Sequence, residues 1–161
     1  MIWPIIALIG GIGLFGATRK KKAAGSIFPT ISFGQPPSHI LSALKNAAAR
    51  YGVPLGIMKG VAHTESRYSP TATSRVGAKG LMQLMPVVIR TYGISNPFSP
   101  TQSALGGARF LSKMYRKYGN WPQALAAYNW GPGNVDRRPA MQQWPSATQH
   151  YVKNVMGKAA A

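Results

Sequence analysis

At 161 residues the chain is long enough for one domain and a flanking segment, and a 45% share of hydrophobic residues excludes wholesale disorder. The absence of cysteine excludes a disulfide scaffold, a thiolate zinc site and a cysteine nucleophile. The charge is lopsided, with 19 Lys and Arg against 2 acidic residues and a net of +17. Calcium loops, two-metal sites and magnesium-dependent phosphoryl transfer therefore lack their acidic ligands. Basic excess of this size points to an anionic partner: an acidic cell-wall polymer, an acidic membrane surface or, least favoured, nucleic acid. His39, His63 and His150 match no metal-ligand spacing, and no metal or organic cofactor is expected.

Residues 1–18, MIWPIIALIGGIGLFGAT, carry no charged side chain and run directly into Arg19, Lys20, Lys21 and Lys22. As a helix this stretch would measure about 27 Å, close to the thickness of a bilayer core, with Trp3 at one interface and the basic cluster at the other. A cleaved secretory signal has its positive charges before the apolar run, so a retained lipid-membrane anchor is the better reading. The positive-inside rule would leave everything after residue 18 on the cytoplasmic side. Residues 19–37 are basic and then rich in Gly, Pro and Ser, a tether ending in Pro36-Pro37.

From Ser38, a candidate N-cap, apolar residues recur at helical spacing. Ile40, Leu41, Leu44 and Ala48 form one stripe closed by Gly52, and Leu55, Met58, Val61 and Ala62 form a second after Pro54. Glu65 falls near the end of that second helix, where the helix dipole disfavours a carboxylate. A polar link leads to GLMQLMPVVIRTYG, which reads as a helix that Pro86 limits or kinks. Pro100–Tyr118 reads as a long helix with Ala104, Ala108, Leu111 and Tyr115 on one side and Arg109, Lys113 and Arg116 on another. WPQALAAYNWGPGNV gives a short buried helix and a turn, and SATQHYVKNVMG a last helix capped by Ser146. No segment alternates as a strand does. The expected fold is mostly α, with a compact domain over residues 38–157.

Three blocks carry a family resemblance. HTESRYSPTATSRVGAKGLMQLMP resembles the signature of lytic transglycosylases with a goose-type lysozyme-like catalytic domain, ALAAYNWGPGNV resembles their second block, and WPSATQHYVKNV their third. The resemblance implies a compact lysozyme-like domain that cleaves the MurNAc–GlcNAc bond of peptidoglycan glycan strands. It implies Glu65 as the acid and then the base, with the sugar's own hydroxyl closing a 1,6-anhydro ring. Ser74, Gln83, Tyr128, Asn129 and Tyr151 match positions lining the family's groove, and Met82 is expected on a sugar face. All but Met82 have a plainer reading: Ser74 as a turn former, Gln83 bonded to backbone, Tyr128 as a buried aromatic, Asn129 as a helix cap, Tyr151 as core. Trp130 departs from the small residue usual before Gly-Pro-Gly, which leaves subsite preference open. The short link between Glu65 and Ser74 leaves little room for a β-hairpin.

The charge inventory is compatible. Ordinary glycosidases flank the bond with two carboxylates, and here only Glu65 and Asp136 exist. Asp136 precedes Arg137-Arg138 and reads as a local ion pair or turn residue. Glu65 must then hold its proton, with a pKa lifted toward ~6 by apolar neighbours such as Met58, Met82 or Met85 and with no Lys or Arg paired to it. A lysozyme that hydrolyses the same bond, or a silent basic module binding membrane or nucleic acid, are the competing functions. A small tethered enzyme fits the virion membrane of a bacteriophage, with other virion or envelope proteins as partners; a bacterial inner membrane facing the periplasm is the alternative.

Overall fold

The structure, a computed structural model, describes residues 34–160. The expected membrane segment, residues 1–18, and the tether before Gly34 lie outside the described residues. Among the described residues no helix is long and apolar enough to cross a membrane. The domain is helical as expected, with helices α1 (Ser38–Tyr51), α2 (Leu55–Ser66), α3 (Pro86–Thr91), α4 (Pro100–Tyr118), α5 (Trp121–Trp130), α6 (Pro132–Arg137) and α7 (Ser146–Ala159). Extended pairing among the described residues is limited to two isolated bridges, Thr73 with Lys79 and Lys79 with Leu84.

Two expected caps shift by one residue. The Pro37 carbonyl accepts the first helical bond from Leu41, and the Pro145 carbonyl accepts from Gln149, so Ser38 and Ser146 are first helical residues with no capping side chain. Ser99 and Asn120 do cap α4 and α5, accepting from Gln102 and Gln123 through their side chains. The helix expected from Gly80 begins only at Pro86. Gly80 and Gln83 take left-handed backbone angles, and Met85 is extended, as a residue before proline must be. Tyr115 leaves the apolar side of α4 and stacks on Trp121 at 4.4 Å between centroids.

α5 is the centre of the domain. Ala124 to Asn129 are all buried, and α4, α6 and α7 pack around it. α1 lies across α4 and α2, and α2 lies along α7. The α2–α7 contact is a backbone approach made possible by Gly56 and Gly60. A Cβ on Gly60 would sit 2.8 Å from the Val155 carbonyl oxygen, and one on Gly56 2.5 Å from that of Ala159. Because backbone lies on the far side, neither clash can be relieved by a rotamer change. Gly60→Ala is therefore expected to destabilise the domain by about 1–3 kcal/mol, despite alanine's better helix propensity; urea unfolding of both proteins measures the difference.

Candidate active site

Glu65 sits at the end of the buried stripe of α2. Met58, Val61, Ala62 and Glu65 share one helical face, and the first three are fully buried. The carboxyl is thus carried inward by the pattern that makes α2 amphipathic. Helices α5 and α7 bring their own stripes to the same place: Tyr128 follows Ala124 and Leu125, and Tyr151 belongs with Thr148, Val152 and Val155.

The Glu65 residue is half-buried, while its Oε1 is fully covered. Burial pushes its pKa up to about 8, further than the sequence suggests, and the Tyr151 hydroxyl alone opposes this. No lysine or arginine contributes to the shift, and among the described residues no cation pairs with Glu65. The Tyr151 hydroxyl acts on the Glu65 carboxyl, although neither Tyr151 Oη nor Glu65 Oε1 makes a hydrogen bond of standard geometry. Both tyrosine hydroxyls have their acidity suppressed, first by burial and then by Glu65. They therefore act as neutral donors. Tyr128 donates to the Met82 carbonyl at 2.7 Å, so Tyr151 is the hydroxyl left facing the carboxyl.

The second side of the site is the loop between α2 and α3. Ser66 Oγ reaches the Leu81 carbonyl at 2.8 Å, Ser103 Oγ accepts from the Met82 amide at 3.1 Å, and Tyr128 holds the Met82 carbonyl. Three elements thereby grip consecutive peptide groups. Gln83 donates to the carbonyls of Ala72 and Gly80, both at 3.0 Å, which is the backbone role among its two expected ones. Ser74 closes a turn, its Oγ accepting from the Ala78 amide at 3.0 Å. Met82 is corrected: its side chain is fully buried against Gly107, so it is core and offers no surface to a sugar. Gly80 has no alternative, because its φ is +78° and a Cβ would lie 1.9 Å from the Pro97 carbonyl oxygen. Among the described residues, the positive-φ non-glycine residues, Arg67, Tyr68 and Gln83, all lie in this segment and the end of α2 that feeds it.

Asn129 is buried within α5 and does not cap it; its Oδ1 accepts from Thr148 Oγ1 at 3.2 Å, which leaves its amide hydrogens outside that bond. Trp130 is half-buried, with the Arg138 guanidinium 5.8 Å from its ring centroid. Ser66, Ser103 and Thr148 were not anticipated from the sequence. Their hydroxyls work on backbone or on another polar side chain, which residue type alone does not signal. Asp136 is ion-paired with Lys117 at 2.6 Å and accepts from Tyr118 at 2.9 Å, not with the adjacent arginines. It is exposed and exerts no influence on Glu65. An open groove of about 490 Å³ bounded by Lys45, Ala48, Val53 and Leu55 lies at the opposite end of α2, roughly 15 Å along the helix from Glu65.

The arrangement is a helical domain built around one neutral carboxyl, without a second acid beside it. Comparison with known proteins gives the family: residues 42–151 match the transglycosylase SLT domain, and the chain belongs to that family. Over 110 residues it is 38% identical to a transglycosylase of Enterobacteria phage PRD1, covering 68% of this chain and 39% of the phage protein. It is 34% identical to membrane-bound lytic murein transglycosylase F 1 of Alkalilimnicola ehrlichii, covering 62% of this chain and 22% of that protein. Its fold superimposes on an inactive Glu-to-Gln mutant of the lytic transglycosylase Slt from Pseudomonas aeruginosa with a TM-score of 0.64 and 29% identity, over 73% of this chain and 23% of the other. The chain thus spans well under half the length of these relatives.

The raised pKa has a consequence for folding. Between the unfolded value near 4.5 and the folded value near 8, the native state binds a proton that the unfolded chain has lost. Stability contributed by this group is complete below the lower value and falls as pH rises through the upper one. Wild type should therefore lose on the order of 5 kcal/mol relative to Glu65→Gln between those limits, measured by denaturant unfolding of both proteins at several pH values.

Proposed function

We propose that this chain cleaves the β-1,4 bond between MurNAc and GlcNAc in bacterial peptidoglycan without consuming water, with Glu65 as its single acid and base. The observation that carries the reading is the Glu65 carboxyl, protonated at neutral pH and accompanied by tyrosine rather than by a second acid. Protonated Glu65 donates to the glycosidic oxygen as the bond to C1 breaks. The developing positive charge at C1 is met by the neighbouring N-acetyl oxygen of the substrate, as in glycosidases that rely on substrate assistance. The ionised Glu65 then takes the proton of the C6 hydroxyl as that oxygen attacks C1, which closes the 1,6-anhydro ring and restores the acid. Tyr151 supports the intermediate stage, since its hydroxyl favours the carboxylate form. Ser74 and Gln83 shape the loop beside the acid, and Asn129 offers its amide to the substrate.

Family membership and the inactive Glu-to-Gln relative support the role of Glu65. The phage relative and the uncharged residues 1–18 support a membrane-tethered enzyme that breaches the wall during phage entry or lysis.

Mass spectrometry of peptidoglycan digested by the full chain tests the chemistry. Muropeptides lighter by one water than lysozyme products are expected, with Glu65→Gln slower by about 10²–10⁴-fold. Full-mass reducing ends that vanish in the variant would instead make the protein a lysozyme, and no products from folded protein would leave a binding module. The rate should fall as pH rises past about 8. Tyr151→Phe removes the one donor that favours the carboxylate, so its alkaline limb should move to higher pH; an unmoved limb would separate Tyr151 from Glu65.

A further inference from the structure

The cations on this domain have almost no counter-charge within it. Of the two acidic side chains in the chain, Glu65 holds its proton at neutral pH and Asp136 is taken by Lys117. Most of the surface lysines and arginines therefore have to be neutralised from outside. Four of them come together on one surface. Along α4, Arg109, Lys113 and Arg116 fall at successive turns of one face, and all three are exposed. The end of α1 and the end of α3 lie beside that face. Arg109 lies over the Tyr92 ring at 4.5 Å from its centroid, and Tyr92 feels Arg109, Arg116 and the Tyr51 hydroxyl. Arg50 covers Tyr51 at 5.9 Å. Three elements thus converge on one surface of four cations around two half-buried tyrosines.

We infer that this α1–α3–α4 surface docks on the phosphate headgroups of an anionic phospholipid leaflet. Guanidinium forks held over aromatic rings are pre-organised to grip phosphate oxygens. Tyrosine with arginine and lysine is also the composition that settles at a bilayer interface. The chain itself supplies proximity, because residues 1–18 are uncharged and apolar, and only the basic and Gly/Pro-rich residues 19–37 separate them from α1. A domain on so short a tether is held near headgroups at high effective concentration. The surface belongs to α1, α3 and α4, whereas Glu65 lies on α2 against Tyr128 of α5 and Tyr151 of α7. The inference does not depend on the enzymatic reading, and Glu65→Gln should dock like wild type.

The lack of cysteine allows single-site labelling of the full chain. A fluorophore on Thr91→Cys, beside Tyr92, and another on Asn154→Cys, exposed on α7, report on the two positions by energy transfer to an acceptor on lipid headgroups. The chain is reconstituted in phosphatidylcholine vesicles with or without phosphatidylglycerol. Transfer from the Thr91 site is expected to exceed that from the Asn154 site only with phosphatidylglycerol, and to fall to the Asn154 level at high salt. Changing Arg109, Lys113 and Arg116 to Gln should lower the docked-to-undocked ratio on the order of 100-fold, with circular dichroism showing the helices intact. Equal transfer from both sites with phosphatidylglycerol, an unchanged ratio in the triple variant, or no association with either vesicle would overturn the inference. Release of the domain onto duplex DNA added at equal phosphate concentration would reassign the surface to nucleic acid.

Discussion

A carboxyl group can keep its proton at neutral pH in a chain of net charge +17 only if local burial outweighs the field of every cation around it. That contest governs the structure. Long-range attraction to arginine and lysine favours the carboxylate, yet at an exposed position it is weakened by water and salt. Desolvation acts at the atom itself, so three helices closing around Glu65 suffice. The domain supplies those helices with Met58, Val61 and Ala62 beneath the carboxyl and two tyrosines across from it, and it brings no cation within pairing distance. A tyrosine is a suitable neighbour because its hydroxyl stays neutral when buried. It can steady the carboxylate once formed without holding the group ionised beforehand.

The same economy explains why a loop with so little regular structure is held so firmly. Its peptide groups at Leu81 and Met82 are gripped by hydroxyls from α2, α4 and α5, each a neutral group that satisfies a polar atom without introducing charge near Glu65. Three non-glycine residues are kept at left-handed angles in or next to the loop, a cost that the surrounding hydrogen bonds and the buried Met82 offset.

Helical periodicity in the sequence was sufficient to locate α1, α2, α4, α5 and α7, and Glu65 was legible as the lone acid at an unfavourable helix end. Ser74 and Gln83 were legible as positions but divided between backbone and substrate roles, because an amide or hydroxyl has the same composition in either use. The break before Pro86 was half visible: proline marks a boundary, whereas the left-handed turns at Gly80 and Gln83 depend on Pro97 and Ala72, which approach only in the folded chain. The burial of Met82 was hidden for a related reason. A methionine beside a polar motif reads as a surface contact until Gly107 on α4 is seen to make room for it. Asp136 reads from the sequence as a local ion-pair or turn residue, whereas its partner is Lys117 on α4, which only tertiary packing brings in.

The distribution of acids links the site to the surface. A basic protein ordinarily relieves its own repulsion with scattered Asp and Glu, and each would also provide surface ion pairs of small individual worth. Here one acid is withdrawn into the interior as a neutral group and the other fastens α6 to α4 through Lys117 and Tyr118. Further carboxylates near the site would raise the pKa of Glu65 by repulsion, but over the rest of the surface they would compete with anionic partners for the lysines and arginines. Their absence leaves protonation to burial, a local property of α2, α5 and α7, and leaves attraction to an anionic surface as a property of α1, α3 and α4. The two demands on charge are thereby met by different helices of one small domain, and a change of ionic strength alters the second while leaving the first nearly untouched.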